Sequence, residues 1–112
     1  MAPTELTPIV QHYMEVLPSA GIHPTMAVLL CGQSANAQAE WSDIELIIVA
    51  PEFDGEPHFT VLDRLWESLM HADHRIQPIA CGVEEWKRGT ARPIIDMARR
   101  EGVVILPRAA AA

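Results

Sequence analysis

Apolar and polar positions along the chain follow two periods, one typical of helices and one of short buried strands. Leu6, Val10, Tyr13 and Leu17 recur at helical spacing and predict a first helix. Either Thr4 or Thr7 could cap this helix, and in the second case Pro8 would fall in its first turn. Four apolar runs bounded by turn residues predict strands, namely 26–32 (MAVLLCG), 43–50 (DIELIIVA), 75–81 (RIQPIAC) and 103–106 (VVIL). The first run has no polar alternation, which is typical of a strand buried on both faces.

Helical patterns separate these strands. An apolar stripe predicts a second helix in which Trp66 belongs to the core; it consists of Leu62, Leu65, Trp66, Leu69 and Met70. A short helical piece is expected over 82–89 and a last helix over 92–101, with Gly102 as its end. The resulting order, α-β-β-α-β-α-β, predicts an α/β fold in which helices pack on a small mixed sheet of about four strands. Pro78 inside the third strand predicts either that this strand lies at a sheet edge or that it contains an irregularity.

Length and composition indicate one globular domain over residues 1–107, followed by a disordered tail over 108–112. The chain has 112 residues, of which 49% are apolar and 21% are charged. No apolar stretch is long enough to span a bilayer, and the N-terminus lacks the pattern of a signal peptide. Only two cysteines occur, and they are far apart in sequence. We therefore expect a cytoplasmic protein without membrane contact or a disulfide framework.

The formal charge of −7 is unevenly distributed. Residues 1–63 contain nine acids and neither Lys nor Arg, whereas all eight basic residues lie from Arg64 onward. A chain that is acidic overall and lacks a basic stripe is poorly suited to hold a nucleic-acid backbone. We therefore expect no nucleic-acid partner.

Two acids, Asp43 and Glu45, stand at the start of the second apolar run. Because side chains alternate along a strand, both carboxylates should point to the same side while Ile44 points into the core. Two carboxylates held close together repel each other unless a positive charge lies between them, and Mg²⁺ prefers such oxygen ligands. One ion or a pair of ions could bind there. The alternative is that both acids simply occupy a solvated face of the strand.

The stretch around these acids resembles a known signature. Residues 29–50, LLCGQSANAQAEWSDIELIIVA, are similar to the pattern of the minimal nucleotidyltransferases, small members of the polymerase-beta superfamily. That pattern is an apolar strand, Gly-Ser, a loop of about ten residues, and Asp-x-Asp or Asp-x-Glu at the start of a second apolar strand. "SDIEL" over 42–46 resembles the family's "SDIDL". Segments 74–89 and 98–106 also resemble the family's third strand, short helix, last helix and final strand.

The resemblance implies a nucleotidyltransferase fold and a function. Members bind ATP or another nucleoside triphosphate with Mg²⁺ and transfer a nucleoside monophosphate to an acceptor, here expected to be a protein or a small molecule. Many relatives are paired with helical HEPN-type proteins in toxin–antitoxin modules, which implies a possible protein partner of that kind. Asp43 and Glu45 would be the catalytic metal ligands. The nucleotide-binding residues would be Gly32, Gln33, Ser34 and Ser42.

The chain departs from the family pattern at several positions. In the ungapped register Cys31 and Gly32 replace the Gly-Ser pair, whereas a shift by one residue restores Gly32 as the glycine and offers Ser34 as the hydroxyl. Gln77 stands where active relatives often carry a third acid, which removes a candidate general base. Cations facing a phosphate would have to come from the C-terminal half, and each candidate also fits an ordinary surface charge. These candidates are Arg75, Lys87, Arg88 and Arg92.

Two rival functions remain open from the sequence. The first is a catalytically degenerate module of the same fold that acts by binding a partner protein, as an antitoxin does. The second is a regulatory domain separated from a larger enzyme.

Overall fold

Helices and strands follow one another in the order that the apolar pattern predicts. The computed structural model describes residues 3–30, 44–55, 59–89 and 92–108. Its helices are α1 (Pro3–Val16), α2 (Phe59–Glu67), α3 (Val83–Arg88) and α4 (Pro93–Glu101), and its strands are β1 (Met26–Leu29), β2 (Ile44–Val49), β3 (Ile76–Cys81) and β4 (Val103–Ile105). Short 3-10 turns cover Leu17–Ala20, Pro51–Phe53 and Ser68–His71. The predicted α/β class with helices on a small mixed sheet is confirmed. In the described part of the chain, no helix has both the length and the apolar character required to cross a membrane.

The four strands form one mixed sheet in the order β3-β2-β1-β4. Strand β1 lies in the middle and pairs antiparallel with both β2 and β4, whereas β2 and β3 run parallel with α2 between them in the chain. Strand β3 has β2 as its partner on one side and lies at the edge of the described sheet. Pro78 can be tolerated there because an edge strand leaves alternate N–H groups outside the ladder. Of the two alternatives predicted for this strand, the edge position is confirmed.

Both faces of the sheet are covered, and each has its own apolar cluster. Helices α1 and α2 pack on one face, and we call the buried side chains there the first cluster; its strand members include Leu29, Leu46 and Ile48. Helices α3 and α4 pack on the other face over the second cluster, whose members are Val28, Leu30, Ile47, Val49, Cys81, Ile95 and Ala98. Successive residues of β1 and β2 alternate between the two clusters because side chains alternate along a strand. The prediction that β1 is buried on both faces is confirmed.

Helix α1 buries the predicted apolar stripe but begins earlier than predicted. It starts at Pro3 and contains Pro8 in its interior, so the predicted caps at Thr4 and Thr7 are wrong. Leu6 is buried in the first cluster, and this packing stabilises helical structure ahead of Pro8 in spite of the hydrogen bond that proline cannot donate. Tyr13 is fully buried, and its hydroxyl donates a hydrogen bond to the Leu65 carbonyl, which ties α1 to α2.

Helix α2 presents a different face to the core than the sequence predicts. Leu65 is fully buried, but 52% of Trp66 is exposed, so the prediction that Trp66 belongs to the core is wrong. Adjacent residues on a helix point about 100° apart, and the buried stripe runs through Val61, Leu65 and Ser68. Trp66 therefore points toward solvent.

Candidate functional site

Glu45 lies at one end of the sheet, on an otherwise apolar strand. Ile44 is buried and Glu45 is exposed, as strand alternation predicts, while the next four residues of β2 are all buried. The backbone N–H of Leu30 donates to the Glu45 carbonyl at 3.1 Å, which continues the pairing of β1 and β2 up to this position. The other residues predicted for the site lie outside the described residues; they are Cys31, Gly32, Gln33, Ser34, Ser42 and Asp43.

Gln77 is the direct neighbour of Glu45 on the adjacent strand. The parallel register of β2 and β3 pairs Glu45 with Gln77, and both residues are exposed. Both belong to the sheet face of the second cluster, because Ile47 and Ile79 follow two residues later and pack there. A carboxylate and an amide therefore stand side by side where β2 and β3 begin. Gln77 is the position at which the family resemblance leads one to expect a third acid.

A charged turn before β3 sets this register. Asp73 accepts hydrogen bonds from the backbone N–H, Nε and Nη2 of Arg75 at 2.8 to 3.0 Å. The Arg75 carbonyl in turn accepts from the N–H of Ile44 at 2.7 Å, which joins the turn to the first residue of β2. The hydrogen bonds from the Arg75 side chain hold the pKa of Asp73 below its ordinary value. The turn thus positions Gln77 beside Glu45.

The described residues offer part of a magnesium shell. Among them, no group of three or more His, Cys, Asp or Glu side chains is arranged to hold a metal ion. Glu45 supplies one carboxylate and Gln77 one amide oxygen on the same face. Mg²⁺ is commonly held by one or two protein oxygens and keeps several waters, so this pair fits such an ion as part of its shell.

Three of the four predicted phosphate-binding cations are engaged by carboxylates of the chain itself. Arg75 pairs with Asp73 at 2.8 Å. Arg88 pairs with Glu84 at 3.3 Å, and Arg92 pairs with Glu85 at 2.8 Å while it also donates to the Ala80 carbonyl. Lys87 makes no ion pair within the described residues. Of the predicted set, Lys87 is therefore the cation best placed to meet an external anion.

Two further cations, Arg99 and Arg100, lie in the last turn of α4 at the Glu45 end of the sheet. Gly102, which follows that turn, packs so closely on β1 that an added Cβ would lie 2.3 Å from Val28 Cγ1. Since β1 ends beside Glu45, the end of α4 lies at the same end of the sheet. The sequence analysis did not select these arginines as phosphate ligands. Their spacing of three and four residues from Asp96 was the available signal, because it places all three on one side of a helix.

A hollow of about 650 Å³ lies at the opposite end of the sheet, beyond the ends of β2 and β3. Its lining includes Asp54, Glu85 and Arg92. These side chains already have partners within the protein. Arg92 forms an ion pair with Glu85, and Asp54 accepts a hydrogen bond from the Glu84 N–H at the start of α3. The hollow is separate from Glu45 and Gln77, which lie where these two strands begin.

The Cys81 thiol is buried at the end of β3, near this hollow. Burial raises the pKa of Cys81 to about 12, so the thiol is protonated at neutral pH. It packs in the second cluster.

The chain was compared with protein-family models, with curated proteins and with solved structures, and none of them matches. Its fold defines it as a small α/β protein with a mixed four-stranded sheet across the described residues. Its function is therefore inferred from its own residues.

Proposed function

We propose that the chain is a Mg²⁺-dependent nucleotidyltransferase-like protein of the cytoplasm. In this proposal it binds a nucleoside triphosphate, with ATP as the first candidate, and transfers the nucleoside monophosphate to a protein or small-molecule acceptor, with pyrophosphate as the leaving group. The observation that supports it is the exposed Glu45 beside Gln77 at the start of an otherwise buried strand. Two neighbouring side chains with oxygen ligands on one sheet face are suited to bind a Mg²⁺ ion, which can in turn bind a polyphosphate.

Each site residue has a defined role in this proposal. Asp43 and Glu45 hold one or two Mg²⁺ ions, and the Gln77 amide oxygen completes that side of the shell. Backbone N–H groups around Gly32, Gln33 and Ser34 would approach the triphosphate. Bound Mg²⁺ would supply positive charge to offset the negative charge that develops in phosphoryl transfer. Gln77 cannot accept a proton as a carboxylate does, so the proton of the acceptor passes to a neighbouring carboxylate or to solvent.

The first test is the effect of Mg²⁺ and a non-hydrolysable ATP analogue on the melting temperature. We expect a rise of roughly 5 °C for the natural protein at about ten times the Kd, because ligand that binds only the folded state stabilises it. The Asp43→Asn, Glu45→Gln double variant should show no rise. A matched control is the Asp63→Asn, Glu67→Gln double variant, which removes the same charge from exposed positions of α2 and should behave like the natural protein.

The outcomes of this test separate the proposal from general charge effects. A rise in the natural protein and the control, but not in the site variant, supports binding through Asp43 and Glu45. The absence of any rise, or an equal rise in all three proteins, overturns it. Transfer of α-labelled nucleotide to an acceptor, lost in the same site variant, would then establish the chemistry.

A second candidate function is a non-catalytic binding module, an antitoxin-like partner of a helical HEPN-type protein. Two observations favour it. Gln77 occupies the place where the family resemblance implies a third acid, and large apolar side chains are exposed on α2 and on the 3-10 turn that follows it. Phe59 and Met70 are 86% and 85% exposed, and Trp66, seven residues after Phe59, lies on the same side of the helix. Such a module would bind its partner equally well with or without Mg²⁺ and ATP, and equally well as the Asp43→Asn, Glu45→Gln variant.

A further inference from the structure

A groove between α3 and α4 concentrates positive charge on a strongly acidic protein. It encloses about 510 Å³ and is lined by Trp86, Lys87, Asp96, Arg99 and Arg100. We call it the basic groove. Three cations and one acid line it, whereas the whole chain has fifteen acids and eight basic residues. Its local charge is therefore opposite to that of the molecule.

Four of the five arginines outside the basic groove are neutralised by carboxylates of the chain, and Arg64 is the exception among the described residues. Arg75, Arg88, Arg92 and Arg108 each lie within 2.8 to 3.3 Å of a carboxylate oxygen of the chain. Arg100 is more loosely paired, with its Nε 3.5 Å from Asp96. Within the ranges that the structure describes, Lys87 and Arg99 make no ion pair. Neighbouring cations without a carboxylate repel each other, and an anion between them would relieve that repulsion.

The Arg99 side chain lies where α3 and α4 approach each other. Gly89 ends α3 with a φ of +96°, and a Cβ added there would lie 3.1 Å from Arg99 Nη1. The guanidinium group therefore reaches across from α4 and lies against the end of α3, close in the chain to Lys87. Trp86 packs against the second cluster and lines one side of the groove.

We propose that the basic groove binds a ligand bearing a diphosphate or triphosphate group, without a divalent ion. The planar fork of arginine matches the spacing of phosphate oxygens, and lysine adds a point charge. Three cations beside one acid suit a ligand with two or more negative charges. The ligand is either free pyrophosphate or the phosphate tail of a nucleotide. This inference goes beyond the proposed function because binding in the groove needs neither Asp43 nor Glu45.

Isothermal titration of the full chain with pyrophosphate, in low-salt buffer containing EDTA, tests the proposal. The Arg99→Gln and Lys87→Gln variants should each bind at least about tenfold more weakly, the loss expected for one charged hydrogen-bonding partner. Arg64→Gln is the matched control, because Arg64 lies on α2, is exposed and makes no ion pair within the described ranges. It should bind within about twofold of the natural protein, a difference close to thermal energy.

Three further arms identify the ligand and separate this site from the proposed metal site. Equal affinity for pyrophosphate and ATP would point to the diphosphate group alone, and tighter binding of ATP would point to a nucleotide; both support the proposal. Adenosine should not bind. The Asp43→Asn, Glu45→Gln variant should bind pyrophosphate normally in EDTA even if it loses the Mg²⁺-dependent response.

Several results would overturn the proposal. One is a failure of the natural protein to bind pyrophosphate. Another is an Arg64→Gln variant that weakens binding as much as Arg99→Gln does, because this would indicate only a general attraction of the anion. Tighter binding of adenosine than of pyrophosphate would assign the groove to a base. Loss of binding in the Asp43→Asn, Glu45→Gln variant in EDTA would show that the groove is no separate site.

Discussion

Single residues before β3 decide how the candidate site is presented. Gln77 stands beside Glu45 only because β3 enters the sheet in one register, and a shift by one residue would turn Gln77 to the opposite face. The Asp73–Arg75 turn fixes that register, since the Arg75 carbonyl holds the N–H of Ile44. The ion pair between Asp73 and Arg75 therefore influences where Gln77 lies relative to Glu45.

The lowered pKa of Asp73 predicts how this turn depends on pH. Because the folded protein holds the carboxyl below its ordinary value near 3.9, Asp73 contributes its full stabilisation above that value and loses it as the pH falls through the lowered pKa. We expect Asp73→Asn to reduce the free energy of unfolding by roughly 1 kcal/mol at pH 7. Urea unfolding at several pH values should show that this difference begins to shrink below about pH 4, where the carboxyl of the unfolded chain becomes protonated, and vanishes once the pH has fallen through the lowered pKa of the folded protein.

Arg88 provides a control for the same experiment. Its partner Glu84 is more than half exposed, so the Glu84→Gln variant should change stability very little at any pH. A constant difference between Asp73→Asn and the natural protein from pH 7 down to pH 3 would contradict the role assigned to the Asp73 carboxylate.

At the level of elements, the passage from α4 to β4 packs closely against strand β1. Gly102 lies in this passage with an ordinary negative φ of −75°, so its conformation does not require glycine. The space around it does, since an added Cβ would lie 2.3 Å from Val28 Cγ1 and 2.7 Å from the Ala98 carbonyl. One of these neighbours would have to move for any larger residue.

We therefore predict that Gly102→Ala destabilises the protein by roughly 2 kcal/mol, the usual effect of overpacking a well-filled site. Thermal unfolding followed by circular dichroism would measure it. Val103→Thr, one residue later on a partly exposed strand position, keeps the shape of the side chain and should change the melting temperature much less. If both variants unfolded at the natural temperature, the close packing of this passage would be refuted.

The elements themselves were predictable, and the reasons are local. Every helix and strand between α1 and β4 follows from apolar spacing and turn residues, and one of the two alternatives predicted from Pro78, an edge strand, is correct. What the pattern could not supply was orientation. Leu65 and Trp66 belong to the same apolar stripe in the sequence. Only the packing of α2 on the sheet decides that Leu65 is buried and Trp66 is exposed.

The candidate site was predictable only in part for a similar reason. Strand alternation alone predicted that Glu45 would be exposed beside a buried Ile44. The other features of the site depend on contacts formed in the folded protein. These include the hydrogen bonds between Arg75 and Asp73 and the position of Arg99 next to Gly89. Such contacts depend on the tertiary fold, so they leave no periodic signal in the sequence. The roles of Asp43 and of the nucleotide-binding residues stay predictions.

At the level of the whole molecule, one sheet is shared by two apolar clusters. Strands β1 and β2 contribute alternate residues to the two clusters. If these strands leave one cluster, the buried side chains of the other cluster are exposed as well. A domain of 112 residues built in this way should unfold in a single cooperative step. The candidate site and the basic groove both lie on the face of the second cluster, so their integrity is coupled to the first cluster across the sheet.

A matched pair of core variants tests this coupling. Ile22 belongs to the first cluster and Ile95 to the second, and both are almost completely buried. Replacing either one by Val should lower the free energy of unfolding by about 0.5–1.5 kcal/mol, with an additive effect in the double variant because the two sites lie on opposite faces. Urea unfolding followed by circular dichroism and by tryptophan fluorescence should give coincident curves with an unchanged m-value for all variants. Curves that separate for Ile95→Val but not for Ile22→Val would mean that the second cluster opens on its own. The face that carries Glu45 and the basic groove would then unfold independently of the rest of the protein.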